Sequence, residues 1–409
     1  MRVSGLIQPW QQFEKDAQNA SFQRLPILHL FEGVLQEFEA TDVRDKVFGL
    51  LAMGQETYDI RNLPALIAPN YNKTTSQVFV DFTKWCITIS RSLDVLGYVT
   101  YANRSETGDV GSLPTWSLSP VSEFRGHGEK LTEVEDFHAA ADIPLAEDDL
   151  IRIANTEKTL QLSGYQLDTI QKAGTMYFTT RWYDSSDLYM MNGSTNTYYS
   201  GGLKYIWSQI GWRDKRAREC SPLKEDFCTC QAMLDTLLTT LTTGGMRRHA
   251  GCDHTRGIHR TKWLKPTDMY ADFAAHWVRN QTIDPDNGGD QEMHLFCEHV
   301  RGLLLPLAEK GDPDKFSELL QNASRRKFAL TASGKVGLVP VGTRDGDIVV
   351  ALFGGRAPYV LRKVDVVSDG DATPAWSFVG ECYIRGYMEG QVVKKKLEAG
   401  LLAEVFEVH

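Results

Sequence analysis

Phe328-Ala329-Leu330-Thr331-Ala332-Ser333-Gly334-Lys335-Val336-Gly337-Leu338-Val339 is where the fold class is decided. From Lys327 the apolar period changes from helical to two. Phe328–Thr331, Val336–Val339, Ile348–Phe353, Tyr359–Arg362 and Ser377–Ile384 read as short β-strands. Ser333-Gly334, Asp345-Gly346 and Gly354-Gly355 supply turns, and the last pair predicts a two-residue hairpin with positive φ at both glycines. An antiparallel β meander or small barrel is expected over residues 325–392, with residues 393–409 as a C-terminal tail.

Upstream the period is helical. Leu234, Leu237, Leu238 and Leu241 mark one helix; Tyr270, Phe273, Ala274, Trp277 and Val278 a second, begun at Thr267; Phe296, Val300, Leu303 and Leu304 a third, ended before Pro306. Asp284–Asp290 reads as a loop, and residues 226–324 as a helical region. Residues 121–225 read as a mixed connector. Glu147-Asp148-Asp149 closes a polar surface segment, Thr159–Ile170 alternates as a strand, and residues 184–202 are turn-rich.

Residues 1–120 are expected to be helical, which makes the whole α+β. Aromatic anchors Trp10, Phe13, Phe22, Phe31 and Phe38 lead to a short helix over Asp42–Gly54. There Val43, Val47, Leu50 and Leu51 form one apolar stripe, with Asp42, Arg44, Asp45 and Lys46 crowded beside it. Charge next to a buried stripe predicts pairing to neighbouring segments, a structural role. Thr74 to Leu93 carries the longest stripe, and Leu113-Pro114-Thr115-Trp116 reads as extended.

A chain of 409 residues, 42% hydrophobic and 24% charged, predicts more than one core in an ordinary globular protein. The net charge of −9 argues against a general nucleic-acid or anionic-membrane binder. No apolar run is long enough for a membrane span and the first residues carry no secretion signal, so a cytoplasmic protein is expected. Seven cysteines, odd in number and thinly spread, predict reduced thiols.

The densest charge lies in Met246–Lys265, where Arg247, Arg248, Arg256, Arg260, Lys262, Lys265, His249, His254 and His259 face only Asp253. Arginine forks suit phosphate, and Trp263 could stack a ring, so Arg247, Arg248, His249, Arg256, Arg260, Lys262 and Trp263 form a candidate anion site for nucleotide, phosphate or RNA. The alternative is a solvated loop balancing acidic neighbours. Cys228, Cys230, Cys252 and His254 are metal-ligand types, but a C-x-C pair on a helix diverges, so no metal site is assigned. His127 and His138, among Glu129, Glu133, Glu135 and Asp136, read as a general-base arrangement or as ordinary surface histidines. The phosphate-loop, dinucleotide, zincin and nucleophile-elbow motifs are all lacking, and no cofactor is expected.

Asp42-Val43-Arg44-Asp45-Lys46-Val47-Phe48-Gly49-Leu50-Leu51, Ala68-Pro69-Asn70-Tyr71 and Leu113-Pro114-Thr115-Trp116 together resemble the D-x-R-D-K-V-[FY]-x-L-L … P-x-Y … L-P-x-W series of the fungal heterokaryon-incompatibility (HET) family. The resemblance continues through Phe137-His138-Ala139-Ala140, Leu160–Ile170 with Gly164 and Asp168, Arg325-Arg326-Lys327-Phe328, Gly346-Asp347, Tyr359-Val360-Leu361-Arg362 and Val379-Gly380-Glu381-Cys382-Tyr383. The stretches that mark the family's TIR-like front domain have no counterpart before Asp42. The resemblance therefore implies the region behind that domain, acting as a ligand- or partner-binding module in allorecognition or cell-death signalling, with oligomers expected. The alternative is a free-standing biosynthetic enzyme performing a transfer or cyclisation on a phosphate-bearing or RNA-linked substrate held by residues 246–265. Sequence alone leaves open whether the chain is an enzyme.

Overall fold

The structure, a computed structural model, describes residues 24–28, 30–31, 40–99, 113–120, 130–131, 136–156, 158–174, 176–181, 184–192, 197–199, 229–248, 261–283, 298–320, 323–364 and 375–409. It is α+β, with helices before a largely antiparallel C-terminal sheet. Trp10, Phe13, Phe22 and Phe38, and the loop 284–290, lie outside the described residues.

In the N-terminal part, helix α1 spans only Asp45–Phe48 and runs on as turns to Gly54. Val47, Leu50 and Leu51 are buried there. Helix α2, Thr75–Ser90, starts at a capping box: the Thr74 hydroxyl accepts from Gln77 N and the Gln77 side chain accepts from Thr74 N. Phe79 and Phe82 on α2 meet the buried Phe31 ring at 6.3 and 5.2 Å. Leu113–Trp116 is not extended. Ser117 N donates to Pro114 O, and the curl inserts Trp116, whose Nε1 donates to Lys158 O at 3.2 Å.

Glu147-Asp148-Asp149, expected on a surface connection, instead opens helix α3, Glu147–Asn155. Three acids suit the positive end of a helix. Asp149 is fully buried, accepting from Ser163 Oγ at 2.8 Å and paired with Arg152. Strand β1 follows over Leu160–Ala173. The turn-rich reading of 184–202 gives way at 184–192 and 197–199 to strands of a three-stranded sheet, β2 (Met176–Arg181), β3 (Asp184–Asn192) and β4 (Thr197–Tyr199), while 193–196 and 200–202 lie outside the described residues. Ladder pairing there overrides the Asp-Ser composition.

Helix α4 is Thr229–Leu241, and β5 (Met246–Arg248) pairs with β6 (Thr261–Trp263) before helix α5, Pro266–Ile283. Helix α6, Glu298–Ala308, does not stop before Pro306 but contains it in its last turn, where the proline removes one backbone donor and the helix ends two residues later. Helix α7, Pro313–Leu320, packs on α5, with the Phe273 and Phe316 rings 5.2 Å apart.

Strands β7 (Arg326–Thr331), β8 (Val336–Pro340), β9 (Ile348–Leu352), β10 (Tyr359–Val364), β11 (Ala375–Glu381), β12 (Tyr383–Ile384) and β13 (Glu404–Val408) join β1 in one eight-stranded sheet. Helix α8, Gln391–Glu398, precedes β13. The sheet closes. β1 pairs β9, β9 pairs β10, β10 pairs β11, β12 continues β11 onto β8, and β8 returns through β7 to β1. β13 fits between the start of β1 and β11. The Gly354-Gly355 hairpin differs from expectation: only Gly354 has positive φ, +78°, and β9 and β10 are joined through residues 353–358.

Barrel strands are buried on both faces. Ile170, Ala329, Val339, Val349, Val360, Val379 and Cys382 fill the interior. The outer face meets the N-terminal core through Ile348, Val350, Tyr359 and Leu361, and the α4–α7 core through Phe328, Val336 and Leu338.

Candidate functional site

Arg44 grips Asp42 with two bonds, Nε to Oδ1 at 2.9 Å and a terminal nitrogen to Oδ2 at 2.7 Å. Its other nitrogen donates to Tyr71 O at 2.7 Å and Lys73 O at 2.8 Å. The side-chain bond from Arg44 holds the Asp42 carboxyl below the usual range. Tyr71 donates to Asp45 at 2.6 Å, and Lys46 donates to Pro120 O at 3.1 Å. The charged series thus ties α1 to residues 71–73 and 120.

The basic run falls largely outside the described residues, including His249, Arg256 and Arg260, together with Cys228, Cys252 and His254; Cys230 lies in the first turn of α4. What is described is the ribbon, whose register sets Arg247 opposite Lys262 and Arg248 opposite Thr261. Trp263, 38% exposed, donates to Asp136 Oδ2 at 2.6 Å and meets the Phe137 ring at 5.6 Å. Asp136 is thus engaged by Trp263, and His138 pairs instead with Asp142 at 2.6 Å; His127 and its glutamates lie outside the described residues. Among the described residues no group of three or more His, Cys, Asp or Glu could hold a metal.

Three ionic arrangements organise the barrel. On its outer face, Arg326 donates to Glu381 Oε1 at 2.6 Å and Glu381 O at 2.8 Å, both side chains being under 10% exposed. At the β7–β8 turn, Asp168 accepts from Tyr387 OH at 2.8 Å and Ser333 Oγ at 2.5 Å, and from Thr169 N at 2.8 Å. Burial pushes the Asp168 carboxyl up, but bonds from Ser333, Thr331, Thr169 and Tyr387 outweigh it and hold it below the usual range. The Tyr387 hydroxyl is pushed up to about 12, chiefly by burial.

The third arrangement surrounds the loop 341–347 at one mouth of the barrel. Alternation sets Lys327 on the face of Ala329 and Arg362 on that of Val360, two interior residues, so both cations cap the interior core. Arg362 takes Asp347 through Nε to Oδ1 at 2.9 Å and a terminal nitrogen to Oδ2 at 2.7 Å, and also donates to Gly342 O at 2.7 Å. Asp347 Oδ2 further accepts from Arg344 N at 2.7 Å. Asp345 is taken by Ala173 N at 2.7 Å and Lys172 at 3.3 Å. Burial pulls the Lys327 ammonium below the lysine range, with Asp347, Arg362, Asp345 and Arg344 acting on it electrostatically. None of Lys327, Arg344 or Arg362 stood out in the sequence as a site; the available signal was a cation at the inward position of an alternating strand.

Residues 253–400 match the Het-6 beta-barrel domain family. The chain is 26% identical over 386 residues to heterokaryon incompatibility protein 6, OR allele, of Neurospora crassa, a span covering 90% of this chain and 51% of that protein. It therefore spans about half the length of that curated relative. No solved structure matches it. The similarity runs across the N-terminal core as well as the barrel, and the chain resembles the heterokaryon-incompatibility protein over most of its own length while matching the Het-6 barrel family over residues 253–400.

Proposed function

We propose that this protein is a ligand- or partner-binding module of heterokaryon incompatibility, acting in allorecognition or cell-death signalling. The relative's name supplies the incompatibility context. The observation that carries the binding reading is the use of charge in the barrel. Arg326, Arg362 and Asp168 each close several bonds to neighbouring strands and turns, as a brace does, while one barrel mouth keeps cations that no described carboxylate takes up. Holding a ligand needs such a rigid, charged rim.

Forced heterokaryons test this reading. Two fungal strains differing only in expression of this chain should fuse into a heterokaryon with arrested growth or compartment death. Heterokaryons that grow like self-fusions, with the chain verifiably expressed, refute it.

A further inference from the structure

We propose that the barrel mouth framed by Lys327, Arg344 and the loop 341–347 binds a compact phosphate-bearing small molecule. The inference deepens the module reading and rests on its premise that the chain holds a ligand.

Cations outnumber carboxylates around this loop among the described residues. Among the described residues, Asp347 and Asp345 are the carboxylates of the loop, and both are committed: Asp347 to Arg362 and Arg344 N, Asp345 to Lys172 and Ala173 N. Arg362 and Lys172 offset them. Lys327 and the Arg344 guanidinium remain, and neither has an ion pair or hydrogen bond among the described residues. Arg344 is exposed, but Lys327 is half-buried over an apolar interior. A desolvated ammonium without a counter-ion is unfavourable, and a bound anion removes that penalty. The Thr343 hydroxyl, in the same loop, is buried and also lacks a partner among the described residues.

Donors on a closed barrel's rim that are unmet among the described residues suit an oxyanion. The strand β7 holds the backbone of Lys327, and the bond of Arg362 to Asp347 fixes the loop that carries Arg344, so the rim is ordered before a ligand arrives. Phosphate suits the set better than carboxylate, because its dianion can answer two cations and its oxygens reach several donors at once.

Calorimetry with the full chain at low ionic strength tests the proposal, using inorganic phosphate, a 5′-mononucleotide and glycerol phosphate, with acetate as control. Phosphate should bind and acetate should not; tighter binding of one ester over phosphate identifies the source of the group. Lys327→Met and Arg344→Glu should each weaken phosphate by about tenfold or more, the loss expected for removing or reversing a close charge. Arg344 is at the surface, so its variant carries the test if Lys327→Met fails to fold. Absence of phosphate binding by the native chain, or binding that Arg344→Glu leaves unchanged, overturns the site. That failure is distinct from normal growth of the forced heterokaryons, which would overturn the module itself.

Discussion

Arg326→Met probes the buried ion pair on the barrel's outer face. Arg326 and Glu381 are 9% and 7% exposed, and the guanidinium makes bonds of 2.6 and 2.8 Å to the carboxylate and the carbonyl of the same residue. Without it, Leu131 N still donates to Oε1 at 2.7 Å. One amide cannot replace a guanidinium against a charge held away from water, so the loss should be about 3–5 kcal/mol. Urea unfolding followed by tryptophan fluorescence reads it as a shift of midpoint at unchanged slope. Arg326→Met with Glu381→Leu removes the stranded charge and should regain most of that loss, leaving a deficit of about 1–3 kcal/mol from the unsatisfied Leu131 N–H. A single variant costing less than about 1 kcal/mol, or a double variant no more stable than the single, refutes the assignment.

Thr74→Ala removes half of the capping box on α2 and should cost about 1 kcal/mol by the same unfolding measurement. Gly164→Ala should cost about 1–3 kcal/mol or more, since an added Cβ would lie 2.3 Å from Ala351 O across the β1–β9 ladder; a neutral result would place that ladder wrongly. Asp168 has a depressed carboxyl in the folded chain, so its stabilising contribution is present above the unfolded value near 3.8 and is lost as pH falls through the lower folded value. Asp168→Asn should therefore flatten the acid limb of a melting-temperature profile, and an unchanged limb would remove the carboxylate from that role.

Strand positions from β7 to β12 were legible because those strands are short and apolar and most are bounded by Gly or Asp turns. Their partners were not. β1 meets β7, β9 and β13, all far along the chain, and the pairing partners of a buried strand leave no local pattern. β13 lay hidden for a related reason: in Glu404–Val408 only Phe406 and Val408 are buried, too brief an alternation to stand out in a tail. α3 was not expected because Asp149, the most polar-looking part of its segment, is buried against Ser163 on β1, a partner that no spacing rule connects, although its pair with Arg152 has ordinary i,i+3 helical spacing. Site residues divide along the same line. Charge crowded into 246–265 is visible in sequence, whereas Lys327, Arg344 and Arg362 meet only once β7, the loop 341–347 and β10 are closed into a ring.

β1 enters the ring long before the rest of it, separated from β7 by the small sheet and the α4–α7 helices, and β13 enters last. An expression fragment trimmed to residues 253–400 would lack both, leaving the flanks of β7 and β9 as bare hydrogen-bonding edges. Bare edges recruit other chains. Such a fragment should aggregate, whereas one that begins before Leu160 and keeps Val408 retains every strand needed to seal the cylinder.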